Sequence, residues 1–116
     1  MASELASSEA ELRLSPEERL IVQEVLAEHL PGREIRVFGS RAHGRSLKPW
    51  SDLDLAVMGE APAAATALAA VAAAFDDSDL PFRVDVLAWS EASPAIRQAI
   101  LLEGLAVVEP AGSAVG

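Results

Sequence analysis

The chain has 116 residues, 51% of them hydrophobic, which suits one domain with a single core. Its formal net charge of -9 argues against nonspecific binding to a nucleic-acid backbone, and the absence of cysteine excludes disulfides and thiolate metal sites. The N-terminal residues lack the basic start and apolar run of a signal peptide, and no apolar stretch approaches the roughly 18 residues of a membrane span. We therefore expect a soluble cytoplasmic protein.

The pattern along the chain predicts helices that alternate with short strands. Residues 1–14 are polar and alanine-rich without a firm period, so we expect a flexible arm. Ser15 then begins the first helix as its N-cap, with Glu18 placed to complete a capping box. That helix should end near residue 30. The further predicted elements are strands over 35–38, 52–58, 81–87 and 105–108, helices over 40–45, 62–75 and 94–102, and a frayed tail over 110–116.

This order predicts one α/β or α+β domain with a small sheet over residues 15–109. No internal repeat or linker divides it. The chain lacks a GxGxxG fingerprint and a GxxxxGK[ST] loop, which argues against a dinucleotide-binding fold and a P-loop.

Residues 39–54 read GSRAHGRSLKPWSDLD, and this stretch carries most of the functional signal. Gly39 and Ser40 follow a strand and begin a short helix, where backbone N–H groups are available to an anion. Asp52 and Asp54 lie one residue apart on the next strand, which places both carboxylates on one face, as a divalent metal would need. A phosphate site beside a metal site indicates a nucleotide.

Basic residues are concentrated in the same region. Five of the nine occur between residues 33 and 48, and no acid lies between Glu34 and Asp52. Two interpretations remain open: a positive patch beside the aspartates that binds phosphate, or arginines that solvate a loop and a helix face. The five residues are Arg33, Arg36, Arg41, Arg45 and Lys48.

A third acid, Asp85, interrupts an otherwise apolar strand. A carboxylate there is costly to bury without a partner, and its simplest partners are a metal or Arg83. Transfer of a nucleotide to a hydroxyl typically uses two metals roughly 4 Å apart, held by carboxylates. Asp52, Asp54 and Asp85 are candidates for that set, with Asp85 placed to take the proton of the attacking hydroxyl.

The ordered set of these motifs resembles the signature of the DNA polymerase β-type nucleotidyltransferase superfamily. Gly39-Ser40-Arg41-Ala42 carries the turn, eleven residues separate Ser40 from Asp52-Leu53-Asp54, and Asp85 follows in a later strand. The GSRAxG form and the ending ILLEGLAVVEP are similar to its minimal nucleotidyltransferase branch. The resemblance covers about residues 16–109 and implies the nucleotidyltransferase fold, a small mixed β-sheet flanked by helices.

The resemblance also implies an activity. Minimal nucleotidyltransferases are often antitoxins encoded beside a helical HEPN-type ribonuclease toxin, and some transfer AMP from ATP to a tyrosine of that toxin. The resemblance implies a HEPN-type toxin as the protein partner. It implies no direct binding to nucleic acid or to a membrane. Carried over to this chain, the resemblance assigns two Mg²⁺ ions to Asp52, Asp54 and Asp85. It assigns the triphosphate of ATP to Gly39 and Ser40, and it implies that Arg41 and Arg45 are further phosphate contacts.

Two hypotheses of different class follow. In the first, the protein is an Mg²⁺-dependent protein adenylyltransferase that modifies its partner. In the second, it is a non-catalytic antitoxin that masks the toxin, with its acidic surface against a basic face. The complete set of three carboxylates favours the enzyme.

Overall fold

The computed structural model describes residues 13–44, 47–48, 50–59 and 64–108. Most of the predicted arm, the predicted tail and Arg45 lie outside the described residues. The elements in chain order are helix α1 (Pro16–His29), strand β1 (Ile35–Phe38), helix α2 (Ser40–His43), strand β2 (Leu53–Val57), helix α3 (Ala65–Asp76), strand β3 (Val84–Ala88), a short 3-10 turn (Trp89–Glu91), helix α4 (Pro94–Glu103) and strand β4 (Leu105–Val108).

The four strands form one sheet in the order β3-β2-β1-β4. Strand β1 is antiparallel to both β2 and β4, whereas β2 and β3 run parallel. The sheet is therefore mixed and flanked by helices, and the predicted fold class is confirmed.

The two faces of the sheet are covered differently. Helices α1 and α3 pack on one face, where Leu53, Leu55 and Val57 of β2 are fully buried. Helix α4 lies on the other face, where Ile100 packs against Phe38 and Ala56. Because side chains alternate along a strand, Asp54 of β2 lies on the α4 face of the sheet.

The start of α1 follows the sequence closely. The Ser15 Oγ accepts a hydrogen bond of 3.1 Å from the Glu18 N–H, and the Glu18 Oε1 accepts one of 3.0 Å from the Ser15 N–H. The predicted capping box is confirmed. The two residues before it are also attached, since the Arg13 N–H donates to the Arg41 carbonyl at 2.9 Å and Leu14 packs against the core. The last two residues of the predicted arm thus belong to the folded domain.

Some boundaries differ from the predicted ones. Strand β3 begins at Val84 rather than at residue 81, because Pro81 has no N–H for the ladder and Phe82 is buried in the main core instead. Helix α2 ends at His43, where Gly44 takes a left-handed conformation with φ of 78°. Within the described residues, no helix is long and apolar enough to cross a membrane.

Candidate active site

The Gly-Ser turn lies directly against one of the predicted metal ligands. Phe38, the last residue of β1, pairs with Asp54, and Gly39 follows it with φ of +78°. A Cβ placed on Gly39 would lie 2.5 Å from the Asp54 Oδ2, closer than real side-chain contacts allow. Glycine is therefore required twice here, by the backbone conformation and by the close approach of the carboxylate.

Asp54 and Asp85 are neighbours across the parallel strands β2 and β3. The register pairs the two residues directly, so both side chains leave the same face of the sheet. Burial, together with the negative charges of Asp85 and Asp52, raises the pKa of Asp54 from an ordinary value of 3.8 to about 6. The three predicted carboxylates therefore share one region of the fold.

Asp85 takes the second of its two predicted partners in this structure. Its Oδ1 accepts from the Arg83 Nη2 at 3.2 Å, and the two side chains are 50% and 76% exposed. An ion pair this exposed contributes only about 0–1 kcal/mol, so a stronger ligand can displace it.

Carboxylates are suitable ligands for a divalent cation, but those described in the structure do not form a closed metal site. Among the residues that the structure describes, no three His, Asp or Glu side chains are grouped closely enough to hold one ion. Hard cations such as Mg²⁺ bind through carboxylate oxygens and retain several waters, so they need fewer protein ligands than a closed cage. Burial first, and the charges of Asp85 and Asp52 after it, raise the pKa of Asp54 and disfavour its ionised form, which a bound cation would stabilise. The donor set therefore fits Mg²⁺.

Arg41 makes several contacts within the protein. Its side chain is buried, its Nε donates to the Ser51 carbonyl at 3.0 Å, and its Nη1 donates to the Arg13 carbonyl at 2.9 Å. The guanidinium also stacks over the Phe82 ring at 3.9 Å. Burial lowers the pKa of Arg41, and the Glu18 carboxylate opposes that effect. Two of its donors, Nε and Nη1, are thus bound to carbonyls of the protein, and the phosphate contact at Arg41 stays a prediction.

The described part of the predicted basic patch is dispersed. Arg33 donates to the Met58 carbonyl at 2.9 Å, and Arg36 pairs with Glu34 at 2.8 Å. Both residues precede or lie within β1, upstream of Gly39. The interpretation of these two arginines as local surface contacts is the one that the structure supports.

Sequence reasoning missed the residues that contact Arg41 beside the site. Arg13, Ser51 and Phe82 hold Arg41, and two of these contacts use backbone carbonyls. Every residue has a backbone carbonyl, so no residue type in the sequence marks those contacts.

The family model described as polymerase beta nucleotidyltransferase matches residues 21–111 of this chain. The protein belongs to that nucleotidyltransferase family. The superfamily expected from the motifs is therefore confirmed. A similar protein, the probable protein adenylyltransferase MntA of Haemophilus influenzae, is 40% identical over 94 residues, which cover 81% of this chain and 82% of the relative.

Solved structures of toxin–antitoxin complexes share the fold. One complex with AMP-PNP matches with a TM-score of 0.65 at 23% identity, over 80% of this chain and 74% of the matched chain. A complex of the tri-AMPylated Shewanella oneidensis HEPN toxin with its MNT antitoxin matches with a TM-score of 0.55 at 24% identity, over 78% and 69% of the two chains. Both likenesses support the nucleotidyltransferase fold.

Proposed function

We propose that this protein transfers AMP from ATP to a tyrosine hydroxyl of a partner HEPN-type toxin and thereby acts as its antitoxin. One observation carries the proposal: a glycine turn lies against Asp54, whose neighbours are Asp85 on the adjacent parallel strand and Asp52 before its own strand. A turn suited to phosphate beside a group of acids suits a nucleoside triphosphate with its cation. The relatives described above supply the acceptor class and the choice of AMP.

The residues take distinct roles in this proposal. Asp52, Asp54 and Asp85 hold Mg²⁺, two ions as in two-metal transferases, and Gly39 and Ser40 bind the triphosphate. At these residues, Mg²⁺ would supply charge neutralisation on the triphosphate and favour ionisation of the attacking hydroxyl. Arg41 has no phosphate role in this scheme, and Arg45 is kept as a phosphate contact on the sequence motif alone.

The transfer itself is an in-line displacement. The tyrosine oxygen forms a bond to the α-phosphorus, and the bond from that phosphorus to the oxygen of the leaving pyrophosphate breaks. Asp85 is suited to accept the tyrosine proton, because its side chain is half-exposed and its ion pair is with a solvent-exposed arginine. An acceptor that comes from another protein can reach such a carboxylate.

A masking antitoxin is the second candidate, and the formal net charge of -9 favours it, because an acidic protein can cover a basic RNA-binding face without turnover. The two functions differ in whether mass is added to the toxin.

Asp52→Asn is expected to lower AMP transfer by about 10²–10³-fold, because it removes a charged ligand while leaving the β2 strand intact. The purified protein is mixed with ATP labelled at the α-phosphate, Mg²⁺ and the HEPN-type protein encoded beside it, and label transfer is measured with the intact mass of the acceptor. Asp54→Asn is assayed in parallel.

Glu28→Gln serves as the control, since it makes the same carboxylate-to-amide change on an exposed position near the far end of α1. The proposal predicts transfer by wild type and by this control. If the toxin is neutralised equally by all variants and gains no mass, the protein masks its partner and the enzymatic proposal is wrong.

A further inference from the structure

We propose that Arg41 is a positioning residue, which fixes the segments that carry Asp52 and Asp85 relative to the Gly39 turn and so sets the carboxylates for Mg²⁺. This inference rests on the proposed function, because it assigns Mg²⁺ to those carboxylates. Arg41 contacts no substrate in it.

One guanidinium reaches three separate segments of the chain. Its Nε donates to the carbonyl of Ser51, the residue before Asp52, and its Nη1 donates to the carbonyl of Arg13. Its plane stacks on Phe82, which lies three residues before Asp85. Because Arg41 itself directly follows Ser40, the described segments that carry the proposed phosphate turn and the three carboxylates each contain this arginine or touch it.

The Ser51 contact completes a closed turn before the first aspartate. The Ser51 N–H donates to the Lys48 carbonyl at 3.0 Å, and the Lys48 N–H donates to the Ser51 Oγ at 2.9 Å. On the other side of Asp52, the Leu53 N–H donates to the Arg83 carbonyl at 2.8 Å. Asp52 is exposed and precedes the strand, so its backbone position depends on these flanking contacts.

The arrangement needs the shape of arginine as well as its charge. A guanidinium donates along two directions from a rigid plane and can stack on a ring at the same time, whereas a lysine ammonium is a point donor at the end of a flexible chain. Arg41→Lys therefore preserves the charge but cannot keep both carbonyl contacts and the stacking.

Arg97 provides a matched control on another part of the molecule. It donates to the Trp89 carbonyl at 3.0 Å and to the Ser90 carbonyl at 3.1 Å, and it lies 4.9 Å from the Trp89 ring. Arg97→Lys removes the same kind of contacts from the 3-10 turn after β3, at the opposite end of that strand from Asp85. Both substitutions should lower thermal stability, but only the one at Arg41 should disturb the cation site.

The test measures Mn²⁺ binding to the purified protein by electron paramagnetic resonance of the free ion, below the lowest melting temperature of the set. Arg41→Lys is expected to weaken Mn²⁺ binding about tenfold, as removal of a residue that orients metal ligands typically does. Arg97→Lys is expected to change it less than twofold. In the transfer assay, Arg41→Lys should also raise the Mg²⁺ concentration for half-maximal rate about tenfold with no change in KM for the acceptor protein.

The outcomes separate this inference from the proposed function. If wild type binds Mn²⁺ and Arg41→Lys binds it equally well, or if both lysine variants weaken it equally, Arg41 is only a stabilising residue and the inference is wrong while the proposed function stands. If wild type binds no Mn²⁺, the proposed function falls and the inference with it. If Arg41→Lys does not fold, Phe82→Leu decides: it keeps an apolar wall but removes the ring, and the inference requires that it weaken Mn²⁺ binding while Arg97→Lys does not.

Discussion

Asp54→Asn is expected to raise the melting temperature at pH 8 without divalent cations. Mg²⁺ is expected to stabilise wild type and to leave Asp54→Asn unchanged. The reason is that burial and the charges of Asp85 and Asp52 raise the pKa of Asp54 from 3.8 to about 6. Above that pH the folded protein holds an ionised carboxylate in surroundings that disfavour it. The amide has the same shape and carries no charge.

The sign of the pH dependence follows from the direction of the shift. A carboxyl group whose pKa is higher in the folded than in the unfolded protein lowers the free energy of unfolding only when it is ionised. The loss is absent below pH 3.8, grows as the pH rises towards 6 and is complete above that pH. The gain in stability from Asp54→Asn should therefore be absent near pH 3.5 and complete by about pH 7. The difference in pKa corresponds to about 3 kcal/mol at full strength, and solvent screening of a half-buried group reduces this to about 1 kcal/mol. In a domain of this size, that is about 4–8 °C.

Thermal unfolding followed by circular dichroism from pH 3.5 to 8.5, with EDTA and with Mg²⁺, measures both effects. Glu28→Gln carries out the same chemical change on an exposed helix position and should leave the profile unchanged. Equal Mg²⁺ stabilisation of wild type and Asp54→Asn would show that Asp54 is not a ligand. A variant less stable than wild type at pH 8 would show that the Asp54 charge is satisfied by a contact within the protein.

Local features of the fold were accessible from the sequence because their causes lie within a few residues. Ser15 and Glu18 form their capping box between neighbours three positions apart. The apolar residues Leu53, Leu55 and Val57 alternate with Asp54, and this pattern placed the carboxylate on the opposite face of β2 from the main core. The turn after β1 and Asp54 of β2 were found in the same way, whereas Asp52 precedes the strand on which the sequence pattern placed it.

Contacts between distant segments were not accessible. That Asp85 pairs with Asp54 depends on β3 lying parallel to β2 at the edge of the sheet, and no local pattern specifies which strands are neighbours. The sequence alone also suggested that Arg41, next to a phosphate turn, faces phosphate. The structure shows contacts of this arginine with two backbone carbonyls and a ring from other parts of the chain, which no local pattern specifies.

Gly39→Ala is expected to remove most transfer activity, by about 10²-fold or more, and to lower stability. The added Cβ would lie 2.5 Å from the Asp54 Oδ2, so either the turn or the carboxylate must move. A displacement of about 1 Å in a catalytic group can cost 10²-fold in rate. The backbone of Gly39, with φ of 78° and ψ of -156°, is a conformation almost restricted to glycine, and it adds a cost of about 1–3 kcal/mol for a residue with a side chain.

Gly59→Ala separates the effect of the steric clash with Asp54 from the conformational cost of a positive φ. Gly59 has φ of +107°, but a Cβ there would meet only the Arg33 Nη2 at 3.7 Å, an ordinary contact. Thermal unfolding and the transfer assay should show a modest loss of stability with full activity for Gly59→Ala, and a larger loss of both for Gly39→Ala. Similar results for the two variants would mean that the turn yields without disturbing the carboxylate.

A double-mutant cycle identifies Asp54 as the group that the Gly39 side chain would strike. Asp54→Ala removes both carboxylate oxygens, so Gly39→Ala in that background retains only the backbone cost. Substitutions in direct contact typically couple by about 0.5–3 kcal/mol, and urea unfolding of the four proteins measures the coupling. The close approach requires Gly39→Ala to destabilise the Asp54→Ala protein less than it destabilises wild type. Additive effects would place the strain elsewhere in the turn and leave the close approach of Gly39 to Asp54 without energetic support.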